Sequence, residues 1–155
     1  MTWFSYLVLA FSMAVFALAW LKGGHPERFG AQLMSTAYLV AAVAPPVVVA
    51  GGLMLFDAIA DAALLAVFLW MSLKGDRWWP FLAAAAMVLT GLVHAAMILI
   101  PELDTRADLS ARLGLTLLTV LALLAGVGER WLAGERPFSN LWKPRPATSH
   151  QTLNI

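Results

Sequence analysis

Residues 56–100 read FDAIADAALLAVFLWMSLKGDRWWPFLAAAAMVLTGLVHAAMILI, and this stretch decides the fold. It holds two apolar runs of about 20 residues each, the length that crosses the hydrocarbon core of a bilayer. Gly75, Asp76 and Arg77 interrupt the apolar residues, and Pro80 follows soon after. Glycine suits the end of one helix and proline suits the start of the next. The stretch therefore predicts a hairpin of two transmembrane helices.

The composition of the whole chain supports a membrane environment. The 155 residues are 61% hydrophobic and 12% charged, whereas soluble domains are about half apolar and about a quarter charged. A soluble domain of this size would still expose about a third of its unfolded surface. We therefore expect the lipid bilayer to be the main partner of this chain. Its few basic residues form no cluster, which argues against nucleic acid as a binding partner.

Polar or proline-containing segments at residues 22–28, 45–46 and 101–108 divide the rest of the apolar sequence. Met1, Thr2 and Trp3 provide no basic segment of the kind that begins a signal peptide, so we expect the first helix to be retained. The predicted fold is an all-α, up-down bundle of five transmembrane helices within residues 1–133, followed by a cytoplasmic tail at residues 134–155. The predicted helices cover residues 3–21, 29–44, 56–74, 79–100 and 109–131.

The second helix leaves two alternatives open at Pro45 and Pro46. Two adjacent prolines remove two backbone donors and end or kink a helix. The span either continues through Val47, Val48 and Val49 beyond a kink, or it breaks at the proline pair with these valines in the outer interface.

The distribution of basic residues predicts the orientation. Five spans put eight of the ten Lys and Arg residues on one side of the membrane. This side is cytoplasmic by the positive-inside rule, so the N-terminus lies outside and the C-terminus inside. Tryptophans give a second argument, because Trp20, Trp70, Trp78, Trp79 and Trp131 lie at the predicted cytoplasmic ends, where an aromatic belt is expected. The eight basic residues on the cytoplasmic side are Lys22, Arg28, Lys74, Arg77, Arg130, Arg136, Lys143 and Arg145.

Three ionisable residues lie at predicted membrane depth, where such groups are costly and often functional. Asp57 lies 19 residues before Asp76, and His94 lies 18 residues after it. At about 1.5 Å per residue the two reach nearly equal height, with Asp61 one turn deeper on the same helix face. The sequence therefore predicts an intramembrane polar group of Asp57, Asp61 and His94.

Each of these residues also has a structural interpretation. Asp57 is expected to cap the third helix, and Asp61 would be satisfied by a polar contact with a partner helix. His94 would be a neutral imidazole bonded to a neighbouring helix, or alternatively the ligand of a pigment or haem. The cofactor is left open between none, a tetrapyrrole and a lipid, and no metal site is predicted.

The C-terminal segment mixes apolar and basic residues. Phe138, Trp142, Lys143 and Arg145 are the candidate contacts with a partner protein. The alternative is a disordered terminus with Trp142 in the membrane interface.

The function predicted first is that of a small accessory subunit of a larger membrane complex in a bacterial energy-converting inner membrane. The alternative is an independent membrane protein that binds a porphyrin-like or lipid-like ligand, or handles protons through Asp61 and His94. An enzyme is the least favoured class, because the sequence contains no Gly-rich phosphate loop, zinc-binding HExxH or nucleophile elbow.

Overall fold

Five α-helices form most of the part of the chain that the computed structural model describes, which is residues 3–45, 47, 54–100 and 105–134. No strand occurs within these ranges, so the all-α prediction is confirmed for them. The helices are α1 Trp3–Lys22, α2 His25–Val43, α3 Leu55–Lys74, α4 Trp79–Leu99 and α5 Thr105–Leu132.

α2 begins at His25, four residues before the predicted start. Pro26 lies in the first turn, where its missing N–H costs nothing. Glu27 then accepts a hydrogen bond from the Gly24 backbone N–H at 2.8 Å, which satisfies a donor at the helix start. The helix ends at Val43, and Ala44 is extended because it precedes Pro45. The predicted continuation through Val48 and Val49 lies outside the described residues.

α5 also begins four residues earlier than predicted, at Thr105. Asp108 in its first turn interacts favourably with the positive end of the helix dipole. At the other end, Gly134 has a φ of 67°, the left-handed conformation that commonly follows a helix and suits glycine. α5 therefore ends at Leu132, one residue beyond the predicted end of the fifth helix.

Sequential helices are antiparallel neighbours, and α5 closes the arrangement by packing against α1, α2 and α4. The core contains Phe68, Trp79 and Leu123, all fully buried. Phe68 and Trp79 meet edge to face, with ring centroids 5.9 Å apart. The aromatic-belt prediction is wrong for Trp79, because this residue faces the core, whereas Trp78 and Trp131 are exposed.

Four of the five helices are long and apolar enough to cross a membrane: α1, α3, α4 and most of α5. Length and composition thus support four of the five predicted spans. α2 does not meet the same criterion, because Glu27, Arg28 and Gln32 make its first half polar. Large apolar side chains such as Leu73 and Leu99 are 78% exposed on the surface of the bundle. This surface suits contact with lipid and indicates a multi-pass membrane protein.

Candidate functional site

Four ionisable side chains from three helices meet at one end of the bundle, and we call them the Asp–His–Arg cluster: Asp57, Asp61, His94 and Arg112. Nε2 of His94 lies 2.9 Å from Oδ2 of Asp61. Nη2 of Arg112 donates to Oδ2 of Asp57 at 2.8 Å and lies 3.8 Å from Oδ2 of Asp61. Arg112 therefore stands between the two carboxylates, and Asp61 stands between Arg112 and His94.

The helix positions explain this convergence. Asp57 and Asp61 are four residues apart on α3, so both point from the same face. His94 lies five residues before the end of α4 at Leu99, which is antiparallel to α3 and brings it to the height of Asp61. Arg112 reaches both carboxylates from α5. The sequence placed His94 level with Asp57 and put Asp61 one turn deeper, whereas the direct contact of His94 is with Asp61. A functional role for the pair stays a prediction.

The cluster is shielded but still accessible. The side chain of His94 is 9% exposed, that of Asp61 22%, and those of Arg112 and Asp57 21% and 28%. Charge interactions are stronger in such a partly desolvated place than in water. The carboxylates nevertheless keep a surface that a proton or a small ligand can reach.

The second ring nitrogen of His94 constrains its protonation state. Nδ1 is buried and has no hydrogen-bond partner among the described residues. In a neutral ring that donates Nε2–H to Asp61, Nδ1 carries only a lone pair. A second proton would create a buried N–H donor without an acceptor, at a cost of about 1–3 kcal/mol. Protonation of His94 therefore favours a rearrangement around the ring, or the entry of water.

Two sequence-based interpretations change with these contacts. The N-cap of α3 is Met54, and Asp57 lies in the first turn with its carboxylate on Arg112. The interpretation of Asp57 as the cap is therefore wrong. For His94, contact with a neighbouring helix is what the structure shows. A pigment would have to replace Asp61 at Nε2 or reach the buried Nδ1.

Sequence reasoning missed Arg112, which it placed on the outer side of the membrane without a partner. The available signal was an arginine inside an apolar span at the end of the bundle where Asp57 and Asp61 had been placed. Asp108 lies four residues earlier on the same face of α5, and its Oδ1 is buried without a hydrogen-bond partner in the described part of the chain. The surroundings of Arg112 are therefore acidic.

No three His, Cys, Asp or Glu side chains of the described residues are arranged to hold a metal ion.

A small cavity of about 180 Å³ opens beside the cluster, between the end of α2 and the start of α3. Asp57 forms part of its wall and is the only charged residue among the described lining residues. The other described lining residues have apolar side chains. The cavity is lined by Ala41, Ala44, Pro45, Val47, Met54, Phe56 and Asp57.

A second polar group lies at the opposite end of the bundle, and we call it the Glu–Arg–Trp cluster: Glu27, Trp79 and Arg130. All three side chains are fully buried. Oε1 of Glu27 accepts a hydrogen bond from Trp79 Nε1 at 3.3 Å, and Oε2 lies 3.7 Å from Nη1 of Arg130. Sequence reasoning missed this group too, because it assigned Glu27 and Arg130 to helix ends at the cytoplasmic surface.

The proposed partner contacts lie outside the described residues. They are Phe138, Trp142, Lys143 and Arg145.

Comparison with known proteins returned no matching family model, no matching curated protein and no matching solved structure. The chemistry therefore has to be argued from the side chains themselves. The Asp–His–Arg cluster can exchange a proton at His94 and can attract cations through its two carboxylates.

Proposed function

We propose that this chain is a multi-pass protein of a bacterial inner membrane that takes up and releases a proton at the Asp–His–Arg cluster. The observation that carries the proposal is the 2.9 Å contact between His94 and Asp61 inside a group of four ionisable residues. Ionisable groups at membrane depth are costly and mark proton pathways in many membrane proteins. Histidine is the side chain whose charge ordinarily changes between about pH 5 and 8.

In this proposal α2 crosses the membrane together with the four apolar helices. Its 19 residues span about 28 Å, close to the roughly 30 Å of the hydrocarbon core. Its first turn lies beside Arg130 of α5, and its last turn lines the cavity beside Asp57 of α3. The buried pairing of Glu27 with Arg130 makes the polar first half of α2 compatible with this position.

The Asp–His–Arg cluster then faces the outer side, and the Glu–Arg–Trp cluster faces the cytoplasm. This orientation rests on the positive-inside rule and on basic residues beside interfacial tryptophans, such as Lys74, whose Nζ lies 5.4 Å from the Trp70 ring. Reporter fusions after Leu103 should give a periplasmic signal, and fusions after Gly75 or Ala133 a cytoplasmic one. The same signal from the Gly75 and Leu103 fusions would contradict the arrangement.

The net charge of the Asp–His–Arg cluster explains why proton binding changes its electrostatic balance. The two carboxylates and Arg112 sum to one negative charge when His94 is neutral, and to zero when it is protonated. Protonation also creates the buried donor at Nδ1 described above. Proton uptake thus balances the charge of the cluster while disturbing its packing, which is the combination that a proton-driven change of helix packing requires.

The test measures the distance between α3 and α5 at two pH values. The natural sequence has no cysteine, so spin labels are introduced through Ile59→Cys and Leu109→Cys, at residues that are 56% and 50% exposed. The distance distribution should differ between about pH 5 and pH 8. It should not change in the same protein carrying His94→Gln.

His25→Gln is the matched control, because His25 is an exposed histidine at the opposite end of the bundle. It should keep the pH-dependent change. A distance that does not depend on pH in the labelled protein, or a change that persists in His94→Gln, would refute proton handling at this cluster.

A second candidate function is that of an accessory subunit of a larger membrane complex. An open groove of about 570 Å³ between α4 and α5 favours it. Ala96, Ala111 and Gly114 line this groove, and small residues let the helix of another protein approach closely in lipid. Native purification should then recover a stoichiometric partner. Deletion of residues 137–155, the proposed contact segment, should release it; recovery of the protein alone would reject this candidate.

A further inference from the structure

The cavity beside Asp57 has the chemistry of a site for a small organic cation. A volume of about 180 Å³ corresponds to about six water molecules at roughly 30 Å³ each. Asp57 supplies the charge, and the other described lining residues have apolar side chains. An anion would be repelled by the carboxylate. The described lining side chains offer Na⁺, K⁺ and divalent ions only the Asp57 carboxylate, whereas hard cations need several oxygen ligands.

An alkyl-ammonium ion fits these walls better. Its N–H groups can donate to the Asp57 carboxylate in a charge-assisted hydrogen bond. Its short hydrocarbon chain can lie against Ala41 and Pro45, and Phe56 contributes an aromatic ring to the same wall. An aromatic ring attracts a nearby cation when its face is presented. The size of the cavity limits the ligand to about six non-hydrogen atoms if each occupies the space of one water.

The position of Arg112 links this cavity to His94. Its Nη2 is bonded to Asp57 at 2.8 Å and lies only 3.8 Å from Asp61. A cation on Asp57 competes with the guanidinium, which can shift by about 1 Å toward Asp61 and still keep a carboxylate partner. Asp61 then has Arg112 as its cationic partner, so its carboxylate stabilises the protonated form of His94 less.

Charge counting gives the stoichiometry. With His94 neutral, the Asp–His–Arg cluster carries one negative charge, which either one proton or one monovalent cation cancels. Binding both adds two positive charges to one partly desolvated place, and these like charges repel each other. Asp108, four residues before Arg112 on α5, adds negative charge near this place but does not remove that repulsion. The two ions should therefore bind antagonistically, and by thermodynamic linkage each should lower the affinity for the other by the same factor.

We propose that the cavity between α2 and α3 binds a small alkyl-ammonium ion on Asp57 in exchange for one proton on His94. The inference rests on the proposed proton handling and names the class of ligand whose binding competes with that of the proton. The proton leaves His94 for the outer aqueous phase as the ammonium ion binds, and it returns when the ion departs. No covalent bond to the ligand forms or breaks.

Calorimetric titration of the full-length protein in detergent with propylammonium chloride tests this exchange. At about pH 6 the wild type should bind one propylammonium ion and release up to one proton, counted by repeating the titration in buffers of different ionisation enthalpy. Its affinity should fall at least about tenfold between pH 8 and pH 5, because protons compete for the same charge balance. His94→Gln should still bind, without proton release and without pH dependence.

Two alanines on α2 provide the matched pair of variants. Ala41 lines the cavity and Ala42 does not, so Ala41→Leu should abolish binding and Ala42→Leu should leave it unchanged. Asp57→Asn should weaken binding at least about tenfold. Unchanged binding in Ala41→Leu, equal competition by Na⁺ or K⁺, or proton release in His94→Gln would overturn the inference.

Failure of the inference can be told apart from failure of the proposed function. If propylammonium does not bind but the distance between α3 and α5 still responds to pH through His94, the exchange is wrong and proton handling stands. If the distance does not respond to pH either, both are wrong.

Discussion

The ionisable side chains at the two ends of the bundle differ in how far they are buried. In the Glu–Arg–Trp cluster, Glu27 and Arg130 are fully buried and Trp79 fills the space beside them. In the Asp–His–Arg cluster the side chains keep between 9% and 28% of their surface exposed, and a cavity adjoins one of them. A sealed ion pair can only hold helices together, whereas a partly open one can also exchange ions with its surroundings.

Glycines show how tightly the sealed end is built. A Cβ at Gly24 would clash with the Arg130 guanidinium, and a Cβ at Gly30 would lie 2.5 Å from Cη2 of Trp79. Gly126 faces the Trp79 indole in the same way. Glycine is thus used where the backbone must approach a large side chain closely. At the other end of the bundle Gly114, by contrast, would meet nothing within 4 Å.

The largest expected effect is the removal of one partner from the sealed pair. Arg130→Met leaves the Glu27 carboxylate buried without its guanidinium, and breaking a buried pair costs about 3–5 kcal/mol. The free energy of unfolding in detergent should fall by that amount. The double variant Glu27→Gln with Arg130→Met should be destabilised by much less than the sum of the two single changes.

Glu129→Gln is the control, because Glu129 lies 3.6 Å from Arg77 with 38% of its side chain exposed. Such a pair contributes about 0–1 kcal/mol. If Arg130→Met cost no more than Glu129→Gln, the contrast between a sealed and an open end would not hold.

A smaller effect is expected from filling the space beside Trp79. Gly126→Ala places a methyl group against the indole and should destabilise the protein by about 1–3 kcal/mol, as overpacked cores do. A methyl group introduced by Gly128→Ala, two residues later and on a different face of α5, meets nothing within 4 Å. It should instead stabilise the helix by about 0.5–1 kcal/mol. Thermal unfolding of the two variants in the same detergent decides between these signs, and equal shifts would argue against tight packing at Gly126.

The smallest effect concerns the open cluster. Asp61→Asn and His94→Gln should show a coupling of about 1–2 kcal/mol in a double-mutant cycle, since residues in contact typically couple by about 0.5–3 kcal/mol. The value falls below that of the sealed pair because water reaches Asp61. Combining His94→Gln with Glu129→Gln, at the opposite end, should be additive within about 0.5 kcal/mol. Strict additivity of Asp61 and His94 would mean that the two side chains do not interact.

Much of the open site could be predicted from the sequence because it depends on local geometry. The approximate heights of Asp57, Asp61 and His94 follow from a constant helical rise on either side of a short turn, although His94 meets Asp61 and not Asp57. Arg112 escaped this reasoning, since its partners lie 51 and 55 residues away and the packing of α5 against α1, α2 and α4 decides which face of α5 each residue occupies. A charged residue near a helix end is by default assigned to the membrane interface. Only its contacts in the tertiary structure show whether it is instead part of a buried polar cluster.

The sealed site could not be predicted at all. Glu27 and Arg130 are separated by more than 100 residues, and each is compatible with a solvated helix end. Their burial arises because α5 returns to the end of the bundle where α2 begins and α4 places Trp79 beside them. No periodicity in a single helix carries this information.

The sequence by itself determined the number and approximate positions of the helices, because apolar runs of membrane length and their glycine and proline boundaries act locally. It also determined that Asp61 and His94 lie inside predicted spans. Only the tertiary structure decided which ionisable side chains meet, which of them are sealed, as Glu27 and Arg130 are, and which remain partly exposed. Side-chain contacts between helices depend on the rotation and packing of each helix, and these are set by all neighbouring helices together.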